Sequence, residues 1–326
     1  LAMGDYERAA PLIDQAVTLR EGEAAGDPLG LATLLDRRGA LQRDRSEFAA
    51  AIQSHRRALA VLELAGLARS VEAVAVLNNL GIALRRASDF EAAVRTYRQA
   101  LALSREIEPQ PSIGAASALA NLAALQQTRG DFAAAREAFA EALVVFEQLR
   151  PPLHPDLGTL HSNLALSSRS LGDLHTSLVH IRAAREIDEA SLPPDHPERA
   201  DTLHNEAAVL VRLGRLEAAS QTLQEASRIY TAALGADHPR TLIAADTRAQ
   251  IDLAEGRTSA AAIGLGRIAE QLHQQATPSA LRHRCSVLRT LARAERRLNE
   301  LSAAAQTARQ ATVLAEQLGR TQDQAI

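Results

Sequence analysis

Apolar residues recur along the chain at helical spacing, in runs separated by short polar turns. Leu77, Leu80 and Leu84 fall on one helical face, as do Leu119 and Leu122. After each such run comes a two-residue turn, and after the turn an Ala-rich run. The turns are Ser88-Asp89 before Phe90, Gly130-Asp131 before Phe132, Gly172-Asp173 before Leu174 and Gly214-Arg215 before Leu216. The same pattern extends outward to Gly4-Asp5-Tyr6, Ser46-Glu47-Phe48, Gly256-Arg257-Thr258 and Asn299-Glu300-Leu301. The turn positions are 4, 46, 88, 130, 172, 214, 256 and 299, a step of 42 six times and then 43. A register held over eight occurrences is an internal repeat. Each unit is predicted as two antiparallel helices, helix A before the turn and helix B after it.

Small residues mark where the helices approach. Seven places before the turn stand Gly39, Gly81, Ala123, Ala165, Ala207, Ala249 and Ala292. Five places after it stand Ala51, Ala93, Ala135, Ser177, Ala219, Ala261 and Ala304. Twelve places after it stand Ala58, Ala100, Ala142, Ala184, Ala226 and Ala311, with Ile268 the one bulky member. Small side chains at fixed positions let helix axes come close. Helices of about 15 residues are marginal alone, so stacking of neighbours must stabilise them.

The run Leu77-Asn78-Asn79-Leu80-Gly81, then Asp89-Phe90-Glu91-Ala92-Ala93, then Tyr97 and Ala100, resembles the tetratricopeptide-repeat (TPR) signature. The period is longer than in the common TPR, and the extra residues fall between helix B and the next helix A. Three of these loops end in His-Pro, at His154-Pro155, His196-Pro197 and His238-Pro239. Long units of this kind are similar to the kinesin-light-chain type of TPR, found also in bacterial proteins. The resemblance implies an all-α, right-handed α-solenoid of about seven and a half helix-turn-helix repeats, with helix A lining a concave groove. The expected division is one TPR domain over 1–326: a half repeat 1–27, then repeats at about 28–69, 70–111, 112–153, 154–195, 196–237, 238–280 and 281–326. The first helix A lacks its body and the last helix B, from about Leu301 to Leu318, lacks a capping helix. The chain is therefore expected to be part of a longer protein, or to pair at its ends with something else.

Composition narrows the function. Aromatics are 2% with no Trp, the net charge is −3 and the pI about 6.4, which argues against a nucleic-acid platform. All 36 basic residues are Arg. No apolar run approaches the length of a membrane span, and Leu1-Ala2-Met3-Gly4-Asp5 is not a signal peptide. The expected location is the cytoplasm. Cys285 is the one cysteine, so Cys-based metal sites are excluded. No P-loop, G-x-S-x-G, H-E-x-x-H or Rossmann fingerprint occurs. No catalysis and no cofactor are expected.

The candidate site residues lie on helix A. Asn79, Asn121, Asn163 and Asn205 stand nine places before the turn in four successive units. Their amides offer donors and an acceptor to the backbone of an extended peptide; equally, they can bond between neighbouring helices. Arg85, Arg169 and Arg212 add charge at the ends of A helices, and Arg289, Arg293 and Arg296 share one side of the last. From Leu281 to Arg309 there are seven Arg and two Glu, a net of +5, which leaves −8 for the rest. These arginines read either as a dock for an acidic peptide or as solvated cations at helix C-termini. Ile82, Leu166 and Val211 are candidate apolar anchors. The His-Pro dipeptides read as structural, with Pro in the first helical turn and Asp195 and Asp237 at the N-terminus. The function expected is a protein-interaction scaffold binding a peptide or protein segment, with no membrane and no nucleic acid as partner. The alternative is a sensor or substrate-docking region of a larger bacterial enzyme, such as a Ser/Thr kinase, a caspase-like protease or a nucleotide-binding regulator.

Overall fold

The computed structural model describes residues 3–22, 26–108, 110–275 and 277–323. Among them are fifteen α-helices and no strand. They are α1 (Met3–Gly22), α2 (Pro28–Asp44), α3 (Phe48–Leu64), α4 (Val71–Arg86), α5 (Phe90–Ile107), α6 (Ile113–Thr128), α7 (Phe132–Leu149), α8 (Pro155–Ser170), α9 (Leu174–Ser191), α10 (Pro197–Arg212), α11 (Leu216–Leu234), α12 (Pro239–Ala254), α13 (Thr258–His273), α14 (Pro278–Arg297) and α15 (Leu301–Asp323). From α2 onward the even-numbered helices are the predicted A helices and the odd-numbered ones the B helices.

The chain divides into two units, Leu1–Asp173 with α1 to α8 and Leu174–Ile326 with α9 to α15. Within each unit every helix packs on the next in order. Each helix A also touches the next helix A: α2 with α4, α4 with α6 and α6 with α8 in the first unit, α10 with α12 and α12 with α14 in the second. This nearest-neighbour stacking is the α-solenoid arrangement.

The turns have a backbone cause. Residues 46, 88, 130, 172, 214, 256 and 299 all adopt positive φ, between 63° and 85°. Four are glycine, which takes this conformation without a Cβ penalty; Ser46, Ser88 and Asn299 are the exceptions. The next amide folds back onto a carbonyl of the finished helix, as in Asp89 N to Leu84 O at 2.9 Å and Asp131 N to Gln126 O at 2.9 Å. This closes orphan carbonyls and starts helix B antiparallel. At the other end, helix A is capped in each of α2, α4, α6, α8, α10, α12 and α14 by Asp27, Ser70, Ser112, His154, His196, His238 or Thr277.

The expected first turn differs. Gly4-Asp5 is helical, inside α1. The last helix B, α15, runs to Asp323 rather than to about Leu318.

The small positions are the core. Ala51, Ala93, Ala135, Ala219 and Ala261 are fully buried, as are Ala58, Ala100, Ala142, Ala184 and Ala226. Opposite the small helix-A position, nine residues after the turn, helix B carries His55, Tyr97, Phe139, Ile181, Leu223 and Leu265, all buried. Where that residue is the ring of His55 or Tyr97, helix A has glycine: a Cβ on Gly39 would lie 2.6 Å from the His55 ring, and one on Gly81 2.3 Å from the Tyr97 ring.

Candidate functional site

In the first unit α4, α6 and α8 present their helix-A faces to a cavity of about 450 Å³. Its apolar wall comes from Val74, Ile82, Ile113, Phe146 and Leu160. Its polar groups are Asn78, Asn79, Ser117, Asn121 and Thr159, with the carboxylates of Glu108 and Asp156. The helical spacing of Val74, Asn78 and Ile82 puts them on one face of α4, while the loop after α5 and the first turn of α8 bring in Glu108 and Asp156.

Of the four predicted asparagines, Asn79 and Asn121 line this cavity and Asn163 lies on α8 in the same unit. Asn205 belongs to the second unit, on α10. All four are half-buried. Asn79 donates its Nδ2 to Asp36 Oδ2 on the preceding helix A at 2.8 Å, so part of its amide already bonds between helices. In the second unit His204 Nε2 and Thr247 Oγ1, 2.9 Å apart, make the equivalent bond between α10 and α12. Among the described residues the side-chain amides of Asn121 and Asn163 have no such partner. Ile82 is part of the cavity wall, whereas Leu166 stands 37% exposed on α8 and Val211 is half-buried on α10.

The arginines separate into two groups. Arg85 is half-buried and stands near the Tyr97 hydroxyl; burial pushes that hydroxyl up to about 12, and the guanidinium opposes the rise. Arg169 is half-buried at the end of α8 and Arg212 exposed at the end of α10. Arg289, Arg293 and Arg296 are all exposed. They line a second cavity of about 590 Å³, closed on its other side by Leu301, Ala304, Ala308 and Ala311 of α15. Among the described residues no carboxylate pairs with any of these three, whereas Arg182 and Arg185 both reach Glu206, at 3.0 and 3.2 Å.

The His-Pro loops are structural, but His and not Asp forms the cap. The Nδ1 atoms of His154, His196 and His238 accept from the backbone N–H of Asp156, Glu198 and Arg240 at 3.2, 3.3 and 3.2 Å. A bare Nδ1 places the ring proton on Nε2. Asp195 and Asp237 instead tie the loop to the helix B of the following repeat, accepting from Arg228 Nη1 of α11 at 2.9 Å and from Gln271 Nε2 of α13 at 2.7 Å. The reason is the proline. It sets the first helical residue directly after His, so the cap position falls one residue later than Asp. Cys285 is buried and donates to Ala311 O at 3.4 Å. Among the described residues no three His, Cys, Asp or Glu side chains are placed to hold a metal ion, and no helix is long and apolar enough to cross a membrane.

The sequence reading missed Asn78, Glu108 and Asp156. Asn78 stands next to Asn79, but its register position holds Asp36, Asn78, Ala120, Ser162, His204, Asp246 and Arg289 in successive units, so no recurrence marks it. Glu108 follows α5 and Asp156 stands in the first turn of α8, and nothing in their spacing brings them to one cavity.

The family model for the tetratricopeptide repeat matches residues 31–106, 72–148, 156–232 and 198–280. Among curated proteins none matches the chain. Among solved structures the chain is similar to BtubC (BKLC) from P. vanneervenii, at 18% identity and a TM-score of 0.57 over 69% of this chain and 91% of that one. It is similar to kinesin-light-chain TPR-like repeats from Podosopora anserina, at 19% identity and a TM-score of 0.53 over 63% and 97%. It is also similar to the Rap conjugation gene regulator of the plasmid pLS20 in complex with the Phr* peptide, at 14% identity and a TM-score of 0.56 over 90% and 76%. At these identities the likeness is one of fold.

Proposed function

Because the chain belongs to the tetratricopeptide-repeat family, we propose that it is a non-catalytic protein-interaction scaffold whose first unit takes an extended peptide segment in the helix-A cavity. The observation that carries this reading is the cavity itself. It joins three successive A helices, has an apolar wall for side chains, and carries the Asn79 and Asn121 amides where a peptide backbone would run. A pre-formed surface of this kind binds without first ordering its own groups. The Phr* peptide bound to a structurally similar protein supports the choice of ligand class. The test is selection from a displayed random-peptide library on the full chain, repeated on Ala75→Trp. Ala75 is exposed and lines the cavity, so the indole fills the space without entering the core. Peptides retained by the parent and lost on Ala75→Trp support the reading. No retained peptide, or equal retention on the filled variant, overturns it.

A second contact rests on three arginines that have no carboxylate partner among the described residues. Arg289, Arg293 and Arg296 expose three guanidinium groups along one cavity wall in the second unit, and guanidinium groups match carboxylates bidentately. We infer that an acidic segment of a partner docks there, separately from the first-unit cavity.

A further inference from the structure

The chemistry of the first-unit cavity restricts the peptide it takes; this step rests on the reading of that cavity as a peptide site. Asn78 lines the cavity and is 7% exposed. Its Nδ2 makes a long bond of 3.4 Å to Gly114 O, and its Oδ1 has no hydrogen-bond partner among the described residues. A buried amide oxygen without a donor is costly, and an incoming N–H would satisfy it.

The charges point the same way. The lining holds two carboxylates, Glu108 and Asp156, and no basic side chain among its described residues. Glu108 Oε2 accepts from the Ser104 hydroxyl, and Asp156 has His154 Nδ1 at 3.4 Å and Arg150 Nε at 3.7 Å beside it, both outside the lining. An acidic peptide would bring like charge to a partly desolvated wall. A basic one brings donors to acceptors, and the methylenes of Arg or Lys can lie along the apolar surface beside the charge.

We propose that the first-unit cavity selects an extended peptide with an Arg or Lys next to an aliphatic residue. The basic head meets the Glu108 and Asp156 carboxylates. A backbone N–H of the peptide bonds to Asn78 Oδ1, and the aliphatic side chain packs against Ile82, Ile113 and Leu160. This is the opposite charge preference from the arginine-lined cavity of the second unit.

The test uses the peptides retained by the full chain and lost on Ala75→Trp. Those peptides should be enriched in Arg or Lys beside Leu, Ile or Val. A synthetic fluorescein-labelled member should bind about tenfold more weakly to E108Q/D156N, which keeps shape and removes charge. Binding of the same peptide to N78L should fall by a similar factor, with thermal melting of both variants checked against the parent. E108K should turn the selection toward acidic peptides. Cavity-dependent peptides that are acidic or show no charge bias, or an unchanged affinity for E108Q/D156N, would overturn the inference while leaving the peptide site intact. An absence of any cavity-dependent peptide would overturn both.

Discussion

The exchange between Gly81 and Tyr97 shows how finely single residues set the helix spacing. A Cβ at Gly81 would sit 2.3 Å from Tyr97 Cε1, and Tyr97 is fully buried, with no space to step aside. Overpacking of this kind costs about 1–3 kcal/mol, against about 1 kcal/mol gained by removing glycine from a helix interior. Gly81→Ala is expected to lower stability by about 1–2 kcal/mol, read from thermal or urea unfolding. Later units pair Ala207 and Ala249 with Leu223 and Leu265 at the same two positions. In a Tyr97→Leu background, Gly81→Ala should therefore cost nothing; a loss equal to that in the parent would show that the ring is not the obstacle. The small residues themselves were visible as a recurrence. Their matching to a large residue sixteen places on was not, because that position changes chemistry from His to Tyr to Phe to Leu and shows no constant letter.

For whole helices, the caps decide where an element begins. Helix α10 begins at Pro197 because proline starts a helix well and His196 Nδ1 accepts the Glu198 N–H at 3.3 Å. His196→Ala removes that acceptor and should destabilise the chain by about 0.5–2 kcal/mol, whereas His196→Ser should keep most of the stability. Amide exchange at the first turn of α10 would locate the effect. Equal exchange in both variants would mean that the imidazole contributes nothing as a cap. Helix periodicity, turns and the His-Pro recurrence were legible because they repeat every 42 residues. The ion pairs that bind helix to helix were not. Glu206 is one acidic residue among many, yet its carboxylate is only 4% exposed and holds both Arg182 and Arg185 of α9.

Over the molecule as a whole, charge is uneven. Residues 281–309 carry +5 while the chain totals −3. Exposed pairs each contribute only about 0–1 kcal/mol, so on the proposed reading the arginines of the second unit would orient and steer an acidic segment more than hold it. For a partner with an acidic segment, replacing Arg289, Arg293 and Arg296 together by Ala should weaken binding about tenfold at low salt. Most of the loss should fall in the association rate and fade as salt rises. Unchanged affinity and unchanged salt dependence would leave these residues as solubilising charges. The first-unit cavity should be indifferent to this triple variant, since none of its lining comes from α14.

Sequence by itself determined the repeat, its register, the turn residues and the faces on which the helices pack. All of these arise from local conformation and from spacing along one chain: a positive φ favours glycine, a helix N-terminus wants an acceptor, and close axes want small side chains. Only the tertiary structure decided which polar groups keep their hydrogen-bonding capacity. It commits Asn79 to Asp36 and leaves Asn78 Oδ1 without a donor. It also gathers Glu108, from the loop after α5, and Asp156, from the first turn of α8, onto one cavity. Those outcomes depend on distances between residues far apart in sequence, and no periodicity within one helix encodes them.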